Sequence, residues 1–305
     1  MGKKLGLGFL GLFILGAIYY FTVGSTLLAS EIKKQVNAEL LTAQTHGFLV
    51  EERVVEEKKE HFVLSFAEPK KISTFLNTQG IQISTQDVEA LKGLKVGVDI
   101  AYVTDIYSAV SIDFYPLTLP DMLTSVSLEP QDKSLITQLS TMLKNKAFLI
   151  HLDVNKLGDG FKGYVKDFNE SIQHNVMTRF MLKDLTFEGS LKKNKLHKIT
   201  QNLKELKLLL DEKVTVTLQG LHSNYLSTGN TSYDYETNYS IDKILMNDTP
   251  TTSLTIVETK IYSTFKVHDN LMDTTLIVNI DSVTLKDKEE SLFLDTFSVN
   301  TKLQI

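Results

Sequence analysis

The chain opens with its longest uninterrupted apolar stretch. Leu5–Ala29 contains no charged residue, and a helix needs about 20 apolar residues to cross a bilayer. A cleaved signal peptide is the alternative. Its apolar core is only about 7–15 residues long, and Leu27 occupies a position where a cleavage site favours a small residue. The length therefore favours an uncleaved membrane anchor over residues 1–29.

The pattern after the anchor first has the period of a helix and then the period of a strand. Ile32, Val36 and Leu40 recur every four positions, which predicts a helical stalk over residues 30–46. From Gly47 onward the apolar positions mostly alternate with polar ones, as in half-buried antiparallel strands. The clearest alternation covers residues 94–100, 106–115, 148–154, 214–219, 233–241, 257–267 and 276–280.

A few helical segments interrupt this alternation. Residues 131–144 have an amphipathic helical pattern, residues 69–92 contain two short helical pieces, and Leu203–Leu210 suggests one turn. The last strand is predicted to place five apolar residues on one face: Phe293, Phe297, Val299, Leu303 and Ile305.

These elements predict an α+β fold with three parts. Residues 1–29 form the cytoplasmic tip and transmembrane anchor, residues 30–46 the stalk, and residues 47–305 a mainly antiparallel β-rich body. The body has a few short helices, and its many long strands suggest a sheet curled around its own apolar face. The short leader with Lys3 and Lys4 and the large trailing part favour a body outside the cytoplasm.

Composition excludes several classes of function. The net charge of −5 argues against nucleic acid as a partner. The absence of cysteine excludes disulfides, thiol nucleophiles and thiolate metal sites. We find no phosphate-binding loop, nucleophile elbow or zinc motif, and the seven histidines lack helical metal-ligand spacing. The sequence therefore predicts no catalytic, metal or cofactor-binding residue and no enzyme.

Three groups of side chains were weighed as sites. His151 and Asp153 lie two apart on a predicted strand, where a solvated polar face explains them better than a catalytic pair. Gly158–Gly160 and Asp167–Glu170 lack the alternating ligands of a calcium loop. The tyrosines Tyr233, Tyr235 and Tyr239 form a strip on one strand face. That strip either lines a groove for an apolar or glycan ligand or packs within the sheet, since strands favour tyrosine.

The layout resembles the YdgA-like family of bacterial envelope proteins. The resemblance rests on the basic start, the single span, Asn37–Leu40 in the stalk, Gly47-Phe48 at the entry to the strands, and Gly163–Glu170. It implies an inner-membrane anchor and a periplasmic β-rich body, and it brings no catalytic residues. The alternating strands are also similar in style to AsmA-like proteins, which implies a curved sheet that holds lipid.

The leading hypothesis is a non-enzymatic envelope protein, anchored in the inner membrane with its body in the periplasm. It would bind a protein partner or an apolar ligand along its sheet. A lipid-carrying module with a continuous groove is the first alternative. An enzyme whose site has no recognisable motif is the second.

Overall fold

We analysed a computed structural model of the chain. It describes residues 29–78, 83–102, 107–124, 130–173, 176–192, 195–211, 213–229, 234–249, 251–268 and 271–304. Most of the predicted anchor, up to Leu28, lies outside these residues. Among the residues described, no helix has the length and apolarity needed to cross a membrane.

The fold class predicted from the sequence, α+β, is wrong. The protein is mostly antiparallel β-sheet in one large sheet, with 66% strand and only 18% helix. The helices lie in the first half of the chain, and every described residue after position 145 is in a strand, turn or loop. Alternation of period two over such long stretches favours extended backbone throughout, so helices are a minor component.

The described chain divides into two compact units. The first contains the residues up to Val165 together with Leu191–Lys195, and the second contains Lys166–Ser190 and Leu196–Ile305. The first unit holds helices α1 (Ala29–Thr45), α2 (Pro69–Thr78), α3 (Thr85–Glu89), α4 (Asp121–Thr124) and α5 (Pro130–Lys144), and strands β1 (Phe48–Val55), β2 (Lys59–Phe66), β3 (Lys95–Tyr102), β4 (Ser108–Pro116), β5 (Ile150–Asn155) and β6 (Gly160–Val165).

The first unit has a conventional hydrophobic core. Strands β1 to β6 pair in sequence order, each antiparallel to the next. Cross-strand partners share a face, and one such row, Phe62, Val98, Phe114 and Ile150, is buried. Buried residues of the helices, among them Val36, Ile72, Leu76, Val88 and Leu139, complete the core.

The predicted helices of this unit are confirmed. The stalk prediction corresponds to α1, and the amphipathic segment 131–144 corresponds to α5. The buried residues Ile32, Val36 and Leu40 of α1 are the three that the spacing had assigned to one face. That face explains why α1 belongs to the first compact unit.

A buried ion pair ties β1 to β2. The side chain of Glu60 is 1% exposed and accepts hydrogen bonds from Arg53 Nε at 2.7 Å and from the Tyr102 hydroxyl at 2.7 Å. Arg53 also donates to the Asn37 side chain of α1. Burial raises the pKa of Tyr102, and its hydrogen bond to Glu60 raises it further. A buried carboxylate needs such partners, because an unpaired buried charge is costly.

The second unit is built from longer strands. These are β7 (Phe168–Gln173), β8 (Met177–Lys192), β9 (Lys195–Leu210), β10 (Val214–Ser227), β11 (Tyr235–Thr249), β12 (Thr252–His268), β13 (Leu271–Asp287) and β14 (Glu290–Gln304). Strands β8 to β14 pair in sequence order, and β7 pairs with β8. The helical turn predicted at Leu203–Leu210 is wrong, since these residues belong to β9.

The second unit has almost no closed core. From Leu196 onward, Leu203 is the only buried apolar side chain among the described residues. Every described residue of β14 is exposed. A sheet whose apolar side chains are covered by another layer would bury them. In the described chain, the apolar side chains of these strands therefore remain accessible.

Candidate functional site

The predicted tyrosine strip lies on the second unit. Tyr235 and Tyr239 both belong to β11, and their spacing of four residues places them on the same face of the strand. Tyr233 lies outside the described residues. Tyr239 is 42% exposed, so it is not packed into a closed interior.

The aromatic rings are arranged across the strands rather than along one of them. Tyr235 stacks on Phe265 of β12, with ring centroids 5.6 Å apart and an interplanar angle of 9°. On its other side, Tyr235 contacts Tyr225 of β10 at 5.6 Å. Burial raises the pKa of Tyr225, and Tyr235 adds to this effect. The sequence placed Tyr235 in the strip, but the contacts of its ring with Phe265 and Tyr225 depend on the register of the strands and were not predicted.

The aromatic group belongs to a larger apolar face. Residues paired across antiparallel strands point to the same side of a sheet. Following the pairs from β10 to β14 therefore identifies one set of side chains, which we call the apolar face. It comprises Leu221, Tyr225, Tyr235, Tyr239, Ile241, Ile261, Phe265, Val267, Met272, Leu276, Val278, Ile280, Phe297, Val299 and Leu303.

The apolar face contains no charged residue and no large side chain that is buried. Small polar residues on the same side of the sheet can bond to one another. Thr237 and Ser263, for example, share a hydrogen bond of 2.7 Å. Several of its apolar members are more than a third exposed, including Phe297 at 54%. Contiguous exposed apolar surface of this kind marks an interaction site in a soluble domain.

The opposite side of the same strands is more polar, although Leu226, Tyr262 and Ile277 also lie on it. His222 Nδ1 lies 2.6 Å from Asn202 Oδ1, and the Asn224 side chain bridges His222 and Thr200. On this side of β12, Lys260 pairs with Ser240 of β11 and Asn279 of β13, and Lys266 pairs with Asp273 of β13. The two sides of the sheet thus differ sharply in chemistry, which is the pattern of one solvated and one contact face.

A row of backbone irregularities crosses the second unit. Asp184 in β8, Gly220 in β10, Glu258 in β12 and Thr296 in β14 have φ values of 52°, 64°, 46° and 42°. At the same level, one residue of each strand from β9 to β14 has no cross-strand partner in the pairing register. We call this the bulge row, and its members are Asp184, Lys204, Gly220, Asp242, Glu258, Asp281 and Thr296.

The bulge row accounts for a change of phase in the sequence. In β12, Leu254 and Ile256 occupy even positions before Glu258, whereas Ile261 and Phe265 occupy odd positions after it. Strict alternation would send these two sets to opposite faces, whereas one extra residue shifts the alternation by one position. We conclude that the shift brings these four side chains to one face and leaves Val257 on the other.

The chemistry of the bulge row fits this role. Left-handed backbone suits glycine, and at Gly220 a Cβ atom would lie 1.9 Å from a carboxylate oxygen of Asp242. The other members are polar and exposed, and Lys204 approaches Asp184 at 3.6 Å. The row is therefore a structural element that orients the apolar face.

A second candidate site lies on the polar face of the first unit. His61, Asp99, Asp113, His151 and Tyr164 are successive cross-strand partners from β2 to β6. A cavity of about 490 Å³ adjoins this polar row and has the size of a small-molecule pocket. Its lining includes both histidines, Asp99, Asp113, Ser111 and Lys59.

Within the polar row, the charges satisfy one another. Asp99 accepts from His61 Nδ1 at 2.6 Å and from Lys146 Nζ at 3.0 Å. Burial raises the pKa of Asp99, but the hydrogen bonds from His61, Lys146 and Tyr115 lower it more. The ammonium of Lys146 also lies 3.7 Å from the centre of the Tyr115 ring. Asp99 thus functions here as the acceptor of a structural network.

His151 is the most strongly engaged histidine of the polar row. Its Nδ1 lies 2.7 Å from Asp113 and its Nε2 lies 3.3 Å from Asp153. The hydrogen bond to Asp113 raises the pKa of His151, and although burial opposes this, the charges of Asp113 and Asp153 add to it. The predicted neighbour pair His151 and Asp153 is real, but Asp113 is the stronger partner and could only be found from strand register.

The side chains of the polar row contact one another and their immediate neighbours. The Ser111 hydroxyl donates a hydrogen bond to Asp153. No group of three or more histidine and carboxylate residues in the described part of the chain has the geometry of a metal site. The arrangement supports a network of structural ion pairs at a cavity.

The raised pKa of His151 predicts a pH-dependent contribution to stability. The contribution is fully present below the ordinary histidine value of about 6.5 and is lost as pH rises through the higher pKa of the folded state. We expect His151→Gln to destabilise the first unit most at mildly acidic pH and progressively less above neutrality. Hydrogen exchange of β4 and β5 amides against pH measures this.

Asp113→Asn serves as the control for that experiment. It removes the partner that raises the pKa of His151 most, so the pH dependence of stability should flatten while the imidazole remains. Identical pH profiles for the unmodified chain and His151→Gln would contradict the prediction.

Comparison with known proteins finds no matching family model, no matching curated protein and no matching solved structure. The resemblance to the YdgA-like family therefore stays a prediction. The fold itself defines the class: an antiparallel β protein with one closed unit and one unit that presents an apolar face.

Proposed function

We propose that the protein is a membrane-anchored binding protein whose apolar face holds the acyl chain of a lipid. The observation that carries this proposal is the apolar face, which extends over five strands without a charged side chain and without a covering layer among the described residues. Alkyl chains are matched by aliphatic and aromatic side chains, and their burial is worth about 0.8 kcal/mol per methylene.

The N-terminal sequence supports the choice of a lipid. The uncharged stretch Leu5–Ala29 is long enough to span a bilayer, and the short basic leader favours a body outside the cytoplasm. An inner-membrane anchor with a periplasmic body would place the apolar face next to a source of acyl chains. A protein partner on the same face is the competing occupant, and it is one outcome of the experiment below.

The aromatic group, which lies on the apolar face at one end of β11 and β12, supports a ligand more than a closed core. Phe265 and Tyr235 stack closely, yet neither side chain is buried. Flat, rigid rings of this kind give a ligand large contact area at low cost in conformational entropy. A closed core would instead bury them completely.

We expect Phe265→Asp to abolish acyl-chain binding while leaving the fold intact. Phe265 is only partly buried, so a carboxylate there stays hydrated in the empty protein, and stability should change by about 1 kcal/mol or less. With an alkyl chain bound, the same carboxylate would lose its water, which lowers affinity by about tenfold or more. The probe is a photoactivatable fatty acid added to the full chain in mild detergent.

Lys266→Asp is the matched control, since it alters the neighbouring residue on the polar side. It should leave labelling unchanged, and peptide mapping of the unmodified chain should place the label on β10–β13. Equal loss of labelling in both variants, or labelling that maps outside these strands, would refute the proposal. A protein partner found bound to the same strands in place of the fatty acid would also refute the proposal.

A further inference from the structure

The apolar face continues on the other side of the bulge row. Each strand from β9 to β14 changes phase at that row, so in β12 the same side of the sheet receives Ile261 after Glu258 and Ile256 before it. Following the cross-strand pairs beyond the row identifies a second set of side chains, which we call the aliphatic block. It comprises Leu206, Leu208, Val216, Leu218, Ile244, Met246, Leu254, Ile256, Val283, Leu285, Leu292 and Leu294.

The aliphatic block consists only of leucine, isoleucine, valine and methionine. It extends across six strands, a width of about 24 Å at the usual strand spacing. Leu206, Met246 and Leu285 are 41%, 43% and 43% exposed, so the block is accessible on this side of the sheet. Side chains of this kind offer dispersion contacts and no hydrogen bonds, which suits alkyl chains.

The apolar face has a different composition at the end of β11 that carries the aromatic group. There, three successive residues of β10 on this side and their three partners on β11 all carry hydroxyl groups. A serine of the adjacent strand β12 continues the set, which we call the hydroxyl patch. It comprises Ser223, Tyr225, Ser227, Tyr235, Thr237, Tyr239 and Ser263.

The hydroxyl patch combines hydrogen-bonding groups with flat aromatic surface. The Ser223 hydroxyl donates to the side-chain oxygen of Gln201 at 3.2 Å, and the phenol ring of Tyr235 stacks on Phe265 beside it. Hydroxyl groups donate and accept hydrogen bonds without carrying a charge. The apolar face is therefore divided along its strands into a purely aliphatic part and a part that is neutral, aromatic and rich in hydroxyl groups.

From this division we propose that the ligand of the apolar face is a neutral glycolipid, with its acyl chains on the aliphatic block and its sugar on the hydroxyl patch. This proposal rests on the acyl-chain binding proposed above and adds the class of headgroup. A sugar ring has an apolar side that suits an aromatic ring, and its hydroxyl groups pair with side-chain hydroxyls. Phe265 borders the hydroxyl patch and thus lies where the acyl chain joins the sugar.

A phosphate headgroup fits this surface poorly. Arginine and lysine are the residues that recognise phosphate, and no member of the apolar face, the aliphatic block or the hydroxyl patch is basic. At the end of the aliphatic block away from the hydroxyl patch, the next cross-strand pair on this side is Asp287 with Glu290. These carboxylates repel an anion, so both ends of the face disfavour a charged phosphate.

Competition for labelling by a photoactivatable fatty acid tests the class of headgroup. The full chain in mild detergent is labelled in the presence of unlabelled glucosyl diacylglycerol or of phosphatidylglycerol with the same acyl chains. The glucosyl lipid should suppress labelling at a concentration about tenfold lower, the effect expected of two or three hydrogen bonds to the sugar. Equal potency, or greater potency of the phospholipid, would overturn the headgroup assignment and leave acyl-chain binding standing. Absence of fatty-acid labelling would refute both proposals.

The double variant Tyr235→Phe/Tyr239→Phe tests the hydroxyl patch itself. It removes two hydroxyl groups and keeps both rings, so labelling by the fatty acid should be unchanged while the advantage of the glucosyl lipid falls by about fivefold or more. Tyr262→Phe is the matched control, because it removes a hydroxyl from the opposite side of β12, and it should keep the full advantage. An undiminished advantage in the double variant, or an equal loss in the control, would overturn the proposal.

The orientation of the ligand is tested by two glucosyl diacylglycerols that differ in the position of a photoactivatable group. A group at the end of an acyl chain should label residues 216–218, 244–246 and 254–256. A group on the sugar should label residues 223–227 and 235–239. Labelling in the reverse arrangement, or the same labelled residues for both probes, would contradict the proposed placement of chain and headgroup.

Discussion

Phe62→Ala should lower the free energy of unfolding of the first unit by about 3–5 kcal/mol. Phe62 has no exposed surface, and it lies in the buried cross-strand row of β2, β3 and β4. Truncation leaves a cavity that the surrounding close-packed side chains can only partly fill. Hydrogen exchange of β2 and β3 amides reports the change, because it measures the stability of these strands directly.

Phe297→Ala is the matched comparison for this experiment. It removes the same number of atoms from a ring that is 54% exposed on the second unit, so the cost should stay within about 0.5 kcal/mol. A loss at Phe297 as large as the loss at Phe62 would mean that the apolar face is closed in solution.

Arg53→Met should cost about 3 kcal/mol, the second large effect we expect. The change leaves the Glu60 carboxylate, which is 1% exposed, without its cation. Breaking a buried pair costs about 3–5 kcal/mol, and the lower end applies because the Arg53 side chain is 31% exposed. The Tyr102 hydroxyl remains as the second donor to the carboxylate. Hydrogen exchange in β1 and β2 measures the loss.

A double-mutant cycle identifies the cause of that loss. In a Glu60→Gln background there is no buried charge to compensate, and an amide still accepts from Tyr102. Arg53→Met should then cost less than about 1 kcal/mol. If the cost is the same in both backgrounds, packing of the Arg53 side chain and not its charge stabilises this region.

Periodicity alone predicted most elements of the first unit, because they are short, but it did not predict β6. The spacing of Ile32, Val36 and Leu40 predicts α1 and its buried face, and the structure confirms both. The α+β class was predicted because the anchor, the stalk and a few short helices were counted beside the β-rich body. Strand continues without interruption by helix through the described residues after position 145, so the class is wrong.

The predictions from the sequence fail where the alternation of apolar and polar residues changes phase within a strand. In β9, Leu203, Leu206 and Leu210 are spaced like a helical face only because the bulge row falls at Lys204. In β14, Phe293 was placed with Phe297 and Val299, but Thr296 lies between them with a positive φ. Phe293 therefore belongs to the opposite face, and Ile305 of the same prediction lies outside the described residues.

Contacts between strands could not be inferred from one sequence. The stacking of Tyr235 on Phe265 joins residues of different strands, as does the pairing of Asp113 with His151. Each of these contacts depends on the register of two strands. The alternation of apolar and polar residues in one sequence is compatible with several registers. Of the predicted tyrosine strip, Tyr235 and Tyr239 lie on one face of β11, and the ring contacts of Tyr235 with neighbouring strands were not predicted.

The bulge row also bears on how this molecule avoids misfolding. Long alternating strands can slide past one another by two residues and still match apolar with apolar. Such a slip would move the unpaired residue of one strand away from that of its neighbour, as with Asp242 and Glu258, and would break the ladder at two places instead of one. The bulge row thus favours a single register for β9 to β14. Deletion of one residue from any of these strands would disrupt that register.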